Sequence, residues 1–138
     1  PAALGSRGAV LPIVLADRVV LVVQPTIPAI TDGLKVQEYA TAYGSGVAGL
    51  LFNKVHEPEA VERITDRAGA YVDGPVLGTV PTDDAAREAR KRGRPLLAHA
   101  PESEAAAAFR EAASSIDVDD GGAEGVAERF RNAVIPEA

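Results

Sequence analysis

A short apolar run, Val47-Ala48-Gly49-Leu50-Leu51-Phe52, ends abruptly in Asn53-Lys54, and a similar run at residues 75–80 ends in Pro81-Thr82-Asp83. Both runs are too short for a buried helix and rich in Val and Leu, which is typical of β-strands covered on both faces. Segments with helical periodicity precede, separate and follow them. This alternation predicts an α/β domain with a parallel sheet and helices on both faces. Ligands of such sheets bind where strands end, so both polar segments belong to one candidate site.

The composition limits the kinds of core and site that the chain can build. Its 138 residues fit one domain or a large part of one, and they are 46% hydrophobic but only 4% aromatic. The core must therefore consist of Val, Leu, Ile and Ala. The sequence has no Cys, which excludes disulfides and cysteine metal sites. His56 and His99 are 43 positions apart and do not follow a metal-ligand spacing, so no metal site is predicted.

The formal charge of −6 argues against direct binding to a nucleic-acid backbone. Only three of the 14 basic residues are Lys, which is typical of a GC-rich genome or of a salt-loving source, and both interpretations stay open.

No apolar run approaches the roughly 20 residues that a membrane span needs, and no signal peptide is visible, so we expect a cytoplasmic protein. Because the chain begins at Pro1, we expect a processed chain or a piece of a longer one.

The order of elements follows from periodicity and from Gly and Pro positions. We predict helices at residues 9–16, 28–43, 58–69, 84–92, 101–115 and 126–135, strands at 18–23, 47–52 and 75–80, and an extended link at 94–97. Residues 117–125 are acidic and contain Gly, which predicts a flexible linker. The predicted organisation is a domain at 1–116, this linker, and a short terminal helix or tail at 126–138.

The candidate site allows two interpretations. The amide of Asn53 offers a donor and an acceptor, as reading an adenine edge requires, and Pro81 supplies an apolar wall and a free carbonyl. Alternatively, Asn53 caps a turn and Asp83 caps a helix, because such residues are common at these positions. From the chemistry alone the structural interpretation is favoured.

Several segments occur in the order of a known family. Pro1-Ala2-Ala3-Leu4 with Arg7-Gly8-Ala9 resembles D-x-P-A-G-L…R-G-A, and Ala16-Asp17-Arg18 resembles A-D-E. Five further segments resemble motifs of the same family. They are N-P-E-x-x-x-x-x-D at residues 24–32, L-N-R-V at 52–55, G-x-I-P-x-D at 78–83, N-x-G-x-P-V at 91–96 and x-P-x-S-x-A-x-x-A-F at 100–109. The chain thus resembles the carboxyl-terminal half of a MinD/ParA-type P-loop ATPase, the septum-site and chromosome-partitioning family, from Pro1 to about Ser115.

The resemblance implies a partial P-loop NTPase domain, of Rossmann-like type, and a role in positioning cell division or in partitioning. It implies an adenine pocket formed by Asn53, Lys54, Pro81, Thr82 and Asp83. Lys54 stands where the family often has Arg, Ala3 replaces a Gly of the switch loop, and Thr26 replaces an acidic residue. The family further implies ATP and Mg as cofactors, ATP-dependent homodimerisation and a protein effector.

The sequence contains neither Gly-x-x-x-x-Gly-Lys-[Ser/Thr] nor the deviant Gly-Lys-Gly-Gly loop. Without these backbone amides and this Lys, nothing holds the phosphates for transfer. We therefore expect no ATP hydrolysis from the chain alone, and ATP and Mg binding only with a missing amino-terminal half. Two alternatives stay open. One is a biosynthetic enzyme of the same superfamily, of dethiobiotin synthetase or cobyrinate amidase type, and the other is a non-catalytic binding or regulatory remnant.

Two further segments have two interpretations each. Residues 126–135 are weakly amphipathic, so they form either a peripheral contact with the inner face of the membrane, as in MinD proteins, or a docked or frayed terminal helix, which is favoured. A basic run comprises Arg87, Arg90, Lys91, Arg92 and Arg94. Cations at a helix carboxyl terminus explain this run better than a nucleic-acid patch, given the acidic whole.

Overall fold

A three-stranded parallel sheet forms the centre of the structure, a computed structural model that describes residues 7–117 and 122–134. The strands are β1 (Arg18–Val23), β2 (Gly46–Val55) and β3 (Val76–Pro81), in that order. Helix α2 (Ile27–Ala42) connects β1 to β2, and α3 (Pro58–Ala68), followed by a 3₁₀ turn at Gly69–Tyr71, connects β2 to β3. The predicted α/β class and parallel sheet are confirmed.

The remaining helices are α1 (Arg7–Leu15), α4 (Asp84–Lys91), α5 (Leu96–His99), α6 (Glu104–Ser114) and α7 (Gly122–Val134). The extended link predicted at residues 94–97 is wrong in part, because the amides of Ala98 and His99 bond the Pro95 carbonyl and close a helical turn. Residues 122–125 of the predicted linker form the first turn of α7, although two of them are Gly, which has a low helix propensity. The described residues do not include 1–6, 118–121 and 135–138. The start of the family resemblance and part of the predicted linker fall in these ranges.

The helices cover both faces of the sheet, as predicted. Side chains alternate along a strand, so Leu50 and Phe52 pack on one face and Leu51 on the other. The first face, which includes Ile30 of α2 and Ile64 of α3, forms one hydrophobic cluster. The second face packs against Ala105, Ala112 and other residues of α6. The core is aliphatic apart from Phe52, whose side chain is fully buried.

Gly49 allows β2 and β3 to approach each other. A Cβ atom there would lie 2.5 Å from the carbonyl oxygen of Pro75, and the φ angle of +152° also disfavours a side chain. The amide of the next residue, Leu50, donates to that same carbonyl at 2.9 Å. The glycine in the apolar run is therefore required by backbone packing.

The two edges of the described sheet differ in character. The strand β1, with sequence Arg-Val-Val-Leu-Val-Val, leaves Val22 53% exposed on an edge without Lys or Pro. The other edge strand, β3, ends in Pro81, which cannot donate to a neighbouring strand. Native sheets protect their edges with charges, Pro or bulges, so β1 has the composition of an inner strand.

The terminal helix α7 docks at the amino end of the sheet. The guanidinium of Arg129 donates to the carbonyl of Val14, at the end of α1, at 3.2 Å and to the carboxylate of Asp17 at 2.7 Å. The Arg129 side chain is only 15% exposed. This contact supports the docked-helix interpretation. Within the described ranges, 7–117 and 122–134, every helix is too short or too polar to cross a membrane.

Candidate functional site

The carboxyl ends of β2 and β3 lie side by side, as the strand-end rule requires. Val55 pairs with Pro81, and the amide of Thr82 donates to the carbonyl of Val55 at 2.9 Å. A cleft of about 540 Å³ opens between β1, α2 and the end of β2. Its walls are the open edge of β1 with Gln24, the inner face of α2 from Ala29 to Val36, and Asn53 with Lys54.

A β-bulge shapes the end of β2. The register between β2 and β3 shifts between Phe52 and Val55. Within the bulge Lys54 has a φ angle of +56°, and among the described residues it is the non-glycine residue with positive φ. Its amide donates to Oδ1 of Asn53 at 2.8 Å, which fixes the Asn53 side chain. This left-handed backbone costs about 1–2 kcal/mol per residue, and such strain is found at functional sites.

The orientation of Asn53 suits recognition of a planar base edge. Its Oδ1 accepts one hydrogen bond from Lys54, and an amide oxygen has a second lone pair. Its Nδ2 group can donate two hydrogen bonds. A side-chain amide that offers one donor and one acceptor can pair with the N7 and N6 positions of adenine. Asn53 is half-buried and Lys54 is exposed at the cleft.

Asp83 has a structural role that the capping interpretation anticipated in part. Its Oδ1 accepts the amide of Ala85 at 2.8 Å, which caps α4. Its Oδ2 accepts the amide of Ala105 at 3.2 Å, in the first turn of α6. Both carboxylate oxygens therefore hold helix amino termini, so Asp83 positions the loop with its side chain.

The structure brings only two of the five predicted site residues into the cleft. Asn53 and Lys54 line it, whereas Pro81, Thr82 and Asp83 lie outside it, at the end of β3 on the other side of β2. The hydroxyl of Thr82 lies 3.2 Å from Nε2 of His56. Sequence reasoning missed this contact because the two residues are 26 positions apart.

Gln24 and Asp32 of the cleft were also missed. The rule that flagged Asn53 applies equally to Gln24, which directly follows β1. Asp32, in the interior of α2, gives no such signal.

Charged groups elsewhere form no second centre in the described part of the chain. Three members of the basic run make exposed ion pairs within α4 or at its end: Arg87 with Asp84, and Lys91 and Arg92 with Glu88. These pairs agree with a solvated helix surface. Within residues 7–117 and 122–134, no group of three or more His, Asp or Glu side chains could hold a metal ion.

The sequence was compared with known protein families. Residues 7–126 match the sequence profile of the 4Fe-4S iron sulfur cluster binding proteins of the NifH/frxC family. The chain belongs to the NifH/frxC family. Clusters of this type are held by Cys thiolates, and the sequence contains no Cys, so its residues do not fit the cluster.

Relatives of the chain include two uncharacterized ATP-binding proteins of Methanocaldococcus jannaschii. One is 33% identical over 116 residues, which cover 84% of the chain and 43% of the relative. The other is 29% identical over 102 residues, which cover 74% of the chain and 38% of the relative. The chain thus spans less than half the length of the curated relatives that it matches.

Two solved structures resemble the fold, each at 30% identity. The cell division ATPase MinD of Pyrococcus furiosus aligns with 72% of the NifH/frxC-family chain and 41% of its own length, at a TM-score of 0.59. The septum site-determining protein MinD of Pyrococcus horikoshii OT3, complexed with Mg-ADP, aligns with 73% of the chain and 41% of its own length, at a TM-score of 0.63. The predicted relationship to MinD/ParA-type P-loop ATPases is confirmed.

Proposed function

We propose that the chain is the carboxyl-terminal portion of a MinD/ParA-like ATPase and forms the adenine-binding part of its nucleotide site. The observation that carries the proposal is the bulge at the end of β2, where Asn53 and Lys54 line the cleft and the Lys54 amide donates to Oδ1 of Asn53. The names of the relatives support a nucleotide ligand, since the M. jannaschii proteins are described as ATP-binding and one MinD structure contains Mg-ADP.

In this proposal the members of the site have different tasks. Asn53 forms hydrogen bonds with the base edge, and Lys54 places its aliphatic stem and ammonium group at the rim of the cleft. Pro81 and Thr82 form a neighbouring wall at the end of β3. Asp83 keeps that wall in place through the two helix amino termini that it caps.

The exposed edge of β1 supports a partial domain. An exposed apolar edge strand of this kind is prone to pair with another strand, and native sheets usually cover or charge such an edge. We propose that the remainder of the P-loop domain pairs with β1, becomes a further wall of the cleft at Asn53, and supplies the phosphate loop and the Mg ligands. The chain alone should then not hydrolyse ATP, because it has no phosphate-binding loop.

The MinD neighbours favour a role in positioning cell division over the biosynthetic alternatives. ATP-dependent homodimerisation, a protein effector and a cytoplasmic location belong to the same proposal. Docking of α7 through Arg129 favours a terminal helix that packs on its own domain over one that contacts the membrane.

The test compares Asn53→Asp with Asn53→Ala in the whole ATPase, that is, this chain together with the P-loop half. The carboxylate of Asn53→Asp keeps the acceptor for the Lys54 amide but loses the Nδ2 donor, so the bulge survives while base recognition does not. A bidentate contact of this kind is worth about 1–3 kcal/mol of discrimination, so calorimetry should show a loss of ATP affinity of roughly tenfold or more.

The control is 7-deaza-ATP, which keeps the N6 amino group but lacks the N7 acceptor, so its affinity should change little in Asn53→Asp. Equal ATP affinity in the wild type and in Asn53→Asp would contradict base recognition by Asn53. Turnover of ATP by the purified 138-residue chain at the rate of the whole ATPase would contradict the partial-domain proposal.

A further inference from the structure

A second carboxamide lies next to Asn53 in the cleft. The register of the parallel strands pairs Val23 of β1 with Phe52 of β2, so the residues that follow them, Gln24 and Asn53, are neighbours at the carboxyl ends of the two strands. Neighbouring strands lie about 4.8 Å apart. Both residues line the cleft. The proposed function gives a task to Asn53 and none to Gln24.

The two carboxamides differ in their freedom to rotate. The amide of Lys54 donates to Oδ1 of Asn53 at 2.8 Å, which determines the atom of that carboxamide that accepts and the atom that donates. Gln24 is held through its backbone, because its carbonyl accepts the amide of Thr26 at 2.8 Å. Its side chain is exposed and one methylene longer than that of Asn53. The carboxamide of Gln24 can therefore turn its donor and its acceptor toward a ligand.

The α2 wall of the cleft suits a planar ring. Ala29, Gly33 and Val36 line it and present small or aliphatic groups. A flat aromatic ligand can place its face against such a wall while its edge meets the carboxamides at the strand ends. The cleft thus combines an apolar wall with two neutral groups that each offer a donor and an acceptor, which is the usual composition of a small-molecule site.

Adenine has two edges that a pair of carboxamides can read. Its N6 amino group has two hydrogens, one on the side of N7 and one on the side of N1, and both ring nitrogens are acceptors. A carboxamide that accepts from N6 and donates to N7 leaves the N1 side of the same amino group free for a second carboxamide. Guanine carries an oxygen in place of this amino group, so it has no hydrogen there for either acceptor.

We propose that Gln24 is a specificity-determining residue of the nucleotide site and reads the N1 edge of adenine, while Asn53 reads the N7 edge. Nε2 of Gln24 donates to N1, and its Oε1 accepts the second hydrogen of the N6 amino group. This role of Gln24 rests on the proposed function, because it requires a nucleotide base in the cleft. It makes 6-aminopurine nucleotides the ligand class of the site, with one contact from each of two strands.

The test measures the affinities of ATP, 1-deaza-ATP and 7-deaza-ATP by calorimetry, in the whole ATPase with and without Gln24→Leu. Leu removes the hydrogen-bonding groups, and position 24 is exposed, so the fold should be preserved. 1-deaza-ATP lacks the N1 acceptor. We therefore expect the ratio of ATP affinity to 1-deaza-ATP affinity to fall roughly tenfold in Gln24→Leu. The ratio of ATP to 7-deaza-ATP affinity, which reports on Asn53, should stay at its wild-type value.

Thr41→Leu is the matched control, because it makes a similar polar-to-apolar change at an exposed position of α2 that does not line the cleft, and it should keep both ratios. Gln24→Glu retains the side-chain length but cannot donate to N1, so it should lower the same ratio and replaces Gln24→Leu if that variant does not fold.

An unchanged ratio of ATP to 1-deaza-ATP affinity in the Gln24 variants would overturn the role of Gln24. The proposed function would then stand if Asn53→Asp still lowers the affinity for ATP. If neither the Gln24 variants nor Asn53→Asp changes the affinity for ATP, the proposed function fails together with this role.

Discussion

Lys54 adopts a backbone conformation that non-glycine residues seldom hold, and this determines what its replacement should do. We predict that Lys54→Gly is more stable than Lys54→Ala by about 1–2 kcal/mol, because glycine adopts the left-handed region without the Cβ clash. The comparison with Ala removes the lysine charge from both proteins. Urea denaturation measures the difference. A Gly variant no more stable than the Ala variant would show that the bulge is not strained.

The residues of the site show how far sequence reasoning reaches at this scale. The strand-end rule placed Asn53 correctly at the carboxyl edge. The bulge itself was not predictable, because neither Asn53 nor Lys54 is the glycine that usually marks a left-handed position. The contact of Thr82 with His56 depends on the pairing of two strands, which no local pattern specifies.

At the scale of elements, Asp83 joins two helices that are far apart along the chain. We predict that Asp83→Ala lowers the free energy of unfolding by about 1–3 kcal/mol, since each lost cap is worth roughly 0.5–2 kcal/mol. The control is Thr26→Ala, which removes a single exposed cap of 3.4 Å from α2 and should have a smaller effect. Urea denaturation of both variants checks this. Equal losses would contradict the double role of Asp83.

Docking of α7 gives a second prediction for an element. Arg129→Ala should speed amide exchange throughout α7 about five- to thirtyfold, because the loss of a charge-assisted contact worth about 1–2 kcal/mol frees the helix from α1. Glu128→Ala, at an exposed position of the same helix, is the control and should leave exchange unchanged. Asp17→Ala should reproduce part of the effect. Unchanged exchange in Arg129→Ala would show that other contacts hold α7.

The elements were easier to predict than their partners. Asp83 was foreseen as a helix cap, because an acidic residue before a helix is a local signal. Its second bond, to α6, spans 22 positions and was not foreseen. The extended link was wrong in part because Pro95 initiates a helical turn as well as ending an extended segment.

For the whole molecule, the open edge of β1 is the feature expected to govern self-association in solution. We predict that the isolated chain self-associates through this edge and that Val22→Lys reduces the association at least tenfold, since a charge on an edge strand opposes pairing. Sedimentation velocity across a concentration series measures it. The control is Val76→Lys on the other edge strand, where Val76 is 44% exposed. An equal effect of both variants would show that general charge, rather than β1, governs association.

The architecture as a whole was the most predictable level. Buried parallel strands are continuous apolar runs, and the chain has three of them separated by helical segments, so class and strand direction followed directly. The cleft was not predictable, because it arises from imperfect filling between elements rather than from any residue type.

The polarity of β1 separates two kinds of partner. Two copies related by a twofold axis must place their β1 strands antiparallel, whereas a strand that continues the parallel sheet must run in the same direction as β1. Since the sequence has no Cys, a single Cys introduced at Val20 or Val22 has a unique thiol. Near the twofold axis such a residue faces its own equivalent and can form a disulfide, while in a parallel continuation it never meets itself. One oxidation experiment therefore distinguishes self-pairing from completion of the domain.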